Sequence, residues 1–188
     1  MSGRYEFLNA LENLVKHRVR FVVTGGIAGN LLGSTTVTHD LDVCYARSED
    51  NLVRMVAALK EVHARLRGAP EDVPFILEAK TLKFGDHFTF VTDLGNLDIL
   101  GHPSGIPGGY DELERAADEI DLGEFRVKVA SIDDLIRMKR AAGRPKDLIE
   151  VEVLGALRDE IDAQATEKRR ARRQAKRGGS SRRTAGSG

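Results

Sequence analysis

The sequence predicts an α+β fold, a small mixed β-sheet flanked by helices with a helical carboxy-terminal part. Three observations carry this reading. Phe7, Leu8, Leu11, Leu14 and Val15 recur at helical spacing near the amino terminus. Short β-type runs, VRFVVT and THDLDVCY, stand further along. Strand and helix signals then mix without the regular βαβ rhythm of a doubly wound parallel sheet.

The first helix is expected from about Tyr5 to Lys16, followed by a buried strand over Val19–Thr24 that ends at Gly25-Gly26. Ile27–Leu32 suits a short helix, and Val37–Tyr45 alternates as a strand. Ser48 is a candidate N-cap with the acidic residues Glu49 and Asp50 behind it. The helix it opens is expected to stop near Gly68, with a loop marked by Pro70 and Pro74. Strand-like pieces follow at Phe75–Leu82 and His87–Thr92, and Asp93–Asn96 turns the chain into Leu97–Leu100. After a Gly- and Pro-rich loop, Gly101–Gly109, come a helix over Tyr110–Ala117 and a hairpin of Glu119–Leu122 with Phe125–Ala130. Ser131 and Asp134 form a capping-box pattern for a helix that Gly143 ends. Pro145 suits the first turn of a last helix, roughly Lys146–Asp162.

Length favours one domain over 1–162. The remainder, 163–188, reads as a basic, disordered tail. Nine basic residues lie from Lys168 onward against the single acid Glu167, although the whole chain is neutral. The body through Thr166 is therefore acidic, and the tail is a candidate polyanion-binding arm or a solvated terminus. No apolar run approaches the ~20 residues of a membrane span, so no membrane partner is expected. Lone Cys44 excludes an internal disulfide framework and a Cys-rich zinc site, and it fits a reducing, cytoplasmic setting. The five scattered histidines show no ligand spacing and read as surface or packing residues.

The chemistry lies in THDLDVCY and NLDIL. In a strand, Asp40 and Asp42 share one face, while Leu41, Val43 and Tyr45 can pack on a core from the other. Two such carboxylates repel unless a cation joins them or water solvates them, and Mg²⁺ prefers oxygen ligands of this kind. Asp98 stands between Leu97 and Ile99 and can complete a three-carboxylate cluster, enough to hold two metal ions, if its strand is a neighbour. Alternatively, all three are solvent-face residues of amphipathic strands. The upstream turn weighs against that, because Gly25 and Gly26 between a buried strand and a helix allow close backbone approach to a phosphate. A dinucleotide-binding fingerprint is excluded, since glycines at 25, 26 and 29 miss the G-x-G-x-x-G spacing.

GGIAGNLLGSTTVTHDLDV resembles the first motif of the polymerase-β-like nucleotidyltransferases, a Gly-Gly or Gly-Ser turn followed by D-x-D, with Asp98 at the third carboxylate. SIDDLIRMKRAAGRPKDLIEV is similar to the segment of AbiEii-type and MenT-type toxin nucleotidyltransferases that completes the nucleotide site. The resemblance implies the nucleotidyltransferase fold and Mg²⁺-dependent transfer of a nucleoside monophosphate from an NTP. Asp40, Asp42 and Asp98 would bind metal, and Lys139 would join them in catalysis. Gly25, Gly26, Lys139, Lys146 and Asp147 would bind nucleotide, with Asp147 orienting Lys139. It further implies a tRNA 3′ end as acceptor and a cognate antitoxin protein as partner, with a protein or small molecule as alternative acceptor. A binding module with little chemistry is the competing function. One departure is that Ser34–Thr38 stands where many relatives carry an arginine.

Overall fold

The computed structural model describes residues 3–69 and 75–180. Its elements are α1 (Gly3–Lys16), β1 (Phe21–Thr24), α2 (Gly25–Leu31), β2 (Asp40–Tyr45), α3 (Glu49–Glu61), β3 (Arg65–Leu66) and α4 (Ala79–Phe84). They continue as β4 (His87–Thr92), β5 (Gly95–Leu100), α5 (Gly109–Ala116), β6 (Asp118–Asp121), β7 (Arg126–Val129), α6 (Ile132–Ala142) and α7 (Pro145–Ser180). The strands form one mixed sheet in the order β3-β4-β5-β2-β1-β7-β6. Central β2 runs antiparallel to β1 and parallel to β5, while β7 runs parallel to β1.

Alternation along β2 divides the sheet into two sides. Leu41, Val43 and Tyr45 are buried, and Phe7 of α1 lies on the Leu41 side. The Asp42 side is roofed by α6, whose Leu135 and Ile136 are buried. Leu11 and Leu14 of α1 join Leu52, Met55 and Leu59 of α3 in the same core. Each of these side chains removes about 1.5–3 kcal/mol worth of apolar surface from water.

The bounds of α6 follow from its ends. The Ser131 side chain accepts from the Asp134 backbone N–H at 3.2 Å, and Gly143 closes the helix at φ 66° in the left-handed region.

Four expected elements differ. Residues 37–39 are not strand, because the ladder to β5 starts at Asp40 opposite Asn96 and nothing pairs earlier; Val37 is 81% exposed. The third helix stops at Glu61, well before Gly68. His63 takes φ 47°, and the Ala64 N–H turns back to Leu59 O at 3.0 Å. This turn frees Arg65–Leu66 to pair with the edge of β4. Phe75–Leu82 is consequently not a strand, since β3 occupies that edge. Phe75 instead packs on Phe88 and Phe90, with ring centroids 6.2 and 6.1 Å away, and the chain enters α4. The last helix does not end at Asp162 but continues to Ser180, as its Ala, Arg, Lys, Glu and Gln content favours. The expected loop at Pro70 and Pro74 and the last eight tail residues lie outside the described residues. No helix among the described residues is long and apolar enough to cross a membrane.

Candidate active site

Strand register assembles the carboxylates. Asp42 lies opposite Asp98 on parallel β5 and opposite Thr24 on antiparallel β1. Directly opposed residues share a face, so Thr24, Asp42 and Asp98 stand in a row. Asp40 lies two residues along on the same face, where Asn96 Nδ2 donates to its Oδ1 at 2.9 Å. Gly25 follows Thr24 with φ +65°, and a Cβ there would come within 2.1 Å of Asp42 Oδ2. At Gly26 a Cβ would meet Thr38 at 2.7 Å. Both glycines are therefore demanded by space, and the first by backbone conformation as well.

The carboxylates differ in their partners. Arg67 Nη2 donates to both oxygens of Asp98, at 3.0 and 2.9 Å. Its Nη1 lies 3.3 Å from Asp40 Oδ2. Asp42 has no ion-pair partner among the described residues. Burial, and next the Asp98 charge, push its carboxyl up to about 7, against the opposing pull of Lys139. Burial also raises Asp98, opposed chiefly by Arg67.

A cavity of about 260 Å³ opens between this row and α6. Its polar lining includes Thr24, Gly25, Asp42, Asp98, Lys139 and Arg144, with His87 and Ser104. Leu100, Pro103, Leu135 and Met138 add apolar surface. Thr24 is 1% exposed, and its Oγ1 has no hydrogen-bond partner among the described residues.

Lys139 reaches the cavity from α6, with Nζ 3.5 Å from Asp147 Oδ1 and in contact with Glu150 Oε2. Asp147 is fully buried and also takes Arg144, from Nε at 2.6 Å and Nη2 at 3.1 Å. This bidentate pairing holds the Asp147 carboxyl below its ordinary range. Lys146 is exposed and does not line the cavity. The structure thus brings together Asp40, Asp42, Asp98, Gly25, Gly26, Lys139 and Asp147, and leaves Lys146 outside. The basic residue facing the cavity from that segment is Arg144. The signal for it was available: Pro145 begins α7, so Asp147 sits at the third helical position and folds back to the Arg144 N–H at 3.2 Å. No sequence signal pointed to Arg67 or Thr24. Cys44, although on the aspartate face, is buried against Gly101 O at 3.7 Å, and burial pushes its thiol up to about 12. A thiol in that state is no nucleophile.

Among the described residues, no group of three or more His, Cys, Asp or Glu side chains is placed to hold a metal ion. Arg67 stands among the carboxylates where the expected cluster would share its cations. The donor set still fits a divalent cation at Asp42, with Asp40 nearby, because Mg²⁺ is commonly held by one or two carboxylates plus phosphate oxygens.

No protein-family model and no curated protein matches the sequence. Likeness lies in solved structures. The chain is similar to the lincosamide antibiotic adenylyltransferase LnuA in its lincomycin-bound form, with a TM-score of 0.55 and 12% identity, over 81% of this chain and 96% of that one. It is also similar to the antibiotic-resistance factor ANT(2'')-Ia, with a TM-score of 0.50 and 14% identity, over 93% and 100% of the two chains. At such identities the likeness is one of fold. The architecture is the nucleotidyltransferase fold, a seven-stranded open mixed sheet with flanking helices and a carboxy-terminal helix.

Proposed function

We propose that this protein transfers a nucleoside monophosphate from an NTP to a hydroxyl acceptor, with Mg²⁺ as cofactor. One observation carries the proposal: Asp42 and Asp98 stand side by side over Gly25 while Lys139 and Arg144 face them across one cavity. A triphosphate needs cations on one side and a metal-binding carboxylate face on the other, and its transfer asks for little beyond positioning and charge neutralisation.

In this reading Asp42 holds the divalent cation, with the Asp40 charge nearby, and the cation when bound supplies charge neutralisation at the reacting phosphate. Gly25 lets phosphate approach the backbone without a side chain between them. Lys139 and Arg144 neutralise the leaving end, and buried Asp147 fixes the direction of both. Leu100, Pro103, Leu135 and Met138 offer the base an apolar wall. The acceptor oxygen bonds to the α-phosphorus, the bridge to the β-phosphate breaks, and pyrophosphate leaves while the hydroxyl proton passes to solvent or a site carboxylate.

For the acceptor, the reading we favour is an RNA 3′ end, tRNA in particular, in the manner of a toxin restrained by an antitoxin protein. Its support is the motif resemblance and the basic run of α7 from Lys168 onward. The second reading is a small hydroxylated molecule, supported by the fold likeness to an antibiotic adenylyltransferase. The test incubates the pure protein with Mg²⁺, each α-labelled NTP, and either total RNA or lincomycin. Label in RNA supports the first reading, and label in lincomycin the second. No label, with no pyrophosphate above an Asp42→Asn control, refutes the transferase and leaves a nucleotide-binding module.

A further inference from the structure

We propose that Arg67 takes the place of a second divalent cation, serving as a built-in counter-ion of Asp98 and Asp40 and restricting the carboxylate face to one metal ion at Asp42. The inference deepens the transferase reading and rests on it for the identity of the metal. Arg67 is not a surface arginine that happens to lie nearby. Its backbone N–H donates to Thr89 O at 2.8 Å, and Thr89 is the residue of β4 directly opposite Asp98. Arg67, directly after β3, Thr89 of β4 and Asp98 of β5 therefore form one line, about 10 Å long at the usual strand spacing. An extended arginine covers that distance and delivers a planar fork at its end, which a lysine cannot do. Both oxygens of Asp98 accept from Nη2, and Asp40 has one oxygen on Asn96 and the other near Nη1. A metal ion binding at Asp98 would first have to displace the guanidinium.

Charge balance points the same way. Three carboxylates and one guanidinium leave two negative charges, which a single divalent ion neutralises. A second ion would leave two positive charges uncompensated, because Lys139 and Arg144 across the cavity are already balanced by Asp147 and Glu150. Asp42, alone of the three in having no ion-pair partner among the described residues, is the position left for that ion.

The test counts ions on the full chain by Mn²⁺ titration under electron paramagnetic resonance. Wild-type protein should take up one Mn²⁺, Arg67→Gln a second, and the double variant Arg67→Gln with Asp98→Asn one again. Equal counts in wild type and Arg67→Gln, or a wild-type count other than one, would overturn the proposal. A measurement on wild type alone guards against a variant that fails to fold. The Arg67 guanidinium resonances should keep their paired shifts through one equivalent of Mg²⁺, and release at that first equivalent overturns the assignment. Neither experiment reads transfer, so a protein that transfers nothing can still give the expected ion count, and a wrong count leaves transfer to be decided separately.

Discussion

Replacing Asp42 with Asn should make the metal-free protein more stable at alkaline pH. The Asp42 carboxyl moves from an ordinary 3.8 to about 7, first through burial and then through the neighbouring Asp98 charge. A carboxyl raised in this way holds its proton more tightly in the fold than in the unfolded chain. Stability therefore falls as pH rises from about 4, and the loss is complete above about 7. At about 1.4 kcal/mol per pH unit, that interval is worth about 4 kcal/mol. The cavity opens to water, which screens these charges, so roughly half, about 2 kcal/mol, should be realised. Asparagine keeps the shape and carries no charge. Melting in EDTA should place the variant roughly 4–8 °C above wild type at pH 8, on the scale of about 2–4 °C per kcal/mol for a chain of this size. The gap should close near pH 4, and Asp42→Asn should at the same time abolish transfer. Equal melting points at pH 8, or a gap that persists unchanged at pH 4, would refute the account of Asp42 as a carboxylate whose charge is disfavoured by burial and by Asp98.

Gly25→Ala should cost about 1–3 kcal/mol and most of the activity, because alanine is strained at φ +65° and its Cβ would press on Asp42; urea denaturation and transfer assays check both. Thr24→Val should raise stability without ligand by about 1 kcal/mol, since it removes a buried hydroxyl with no partner, while NTP affinity measured by calorimetry falls; a variant that melts below wild type would contradict this. Lys139→Ala should lower transfer by at least about tenfold, or about 1.4 kcal/mol. Its stability loss should stay near 1 kcal/mol, because Asp147 retains both bonds to the Arg144 side chain, whereas Arg144→Ala should cost more; paired melting curves decide.

The local features of this site were legible in the sequence because each has a short-range cause. Alternation in DLDV puts two carboxylates on one face, Gly-Gly at a strand end marks a close approach, and Ser131 to Gly143 carries its own start and stop. Asp98 could be named but not joined to Asp42, since that depends on β5 lying parallel beside β2 in one register. Arg67 was beyond reach. It enters only because His63 turns the chain left-handed, letting two residues pair at the β4 edge and sending a guanidinium across β4 to Asp98. Thr24 likewise becomes a buried, unpartnered hydroxyl only through strand pairing on one side and α6 above. Sequence alone determined which residue types and local turns this protein has for phosphate chemistry. Tertiary structure decided which carboxylate of the sheet is neutralised, because ion pairing depends on distances of a few ångströms between residues such as Arg67 and Asp98, which the chain itself leaves 31 positions apart.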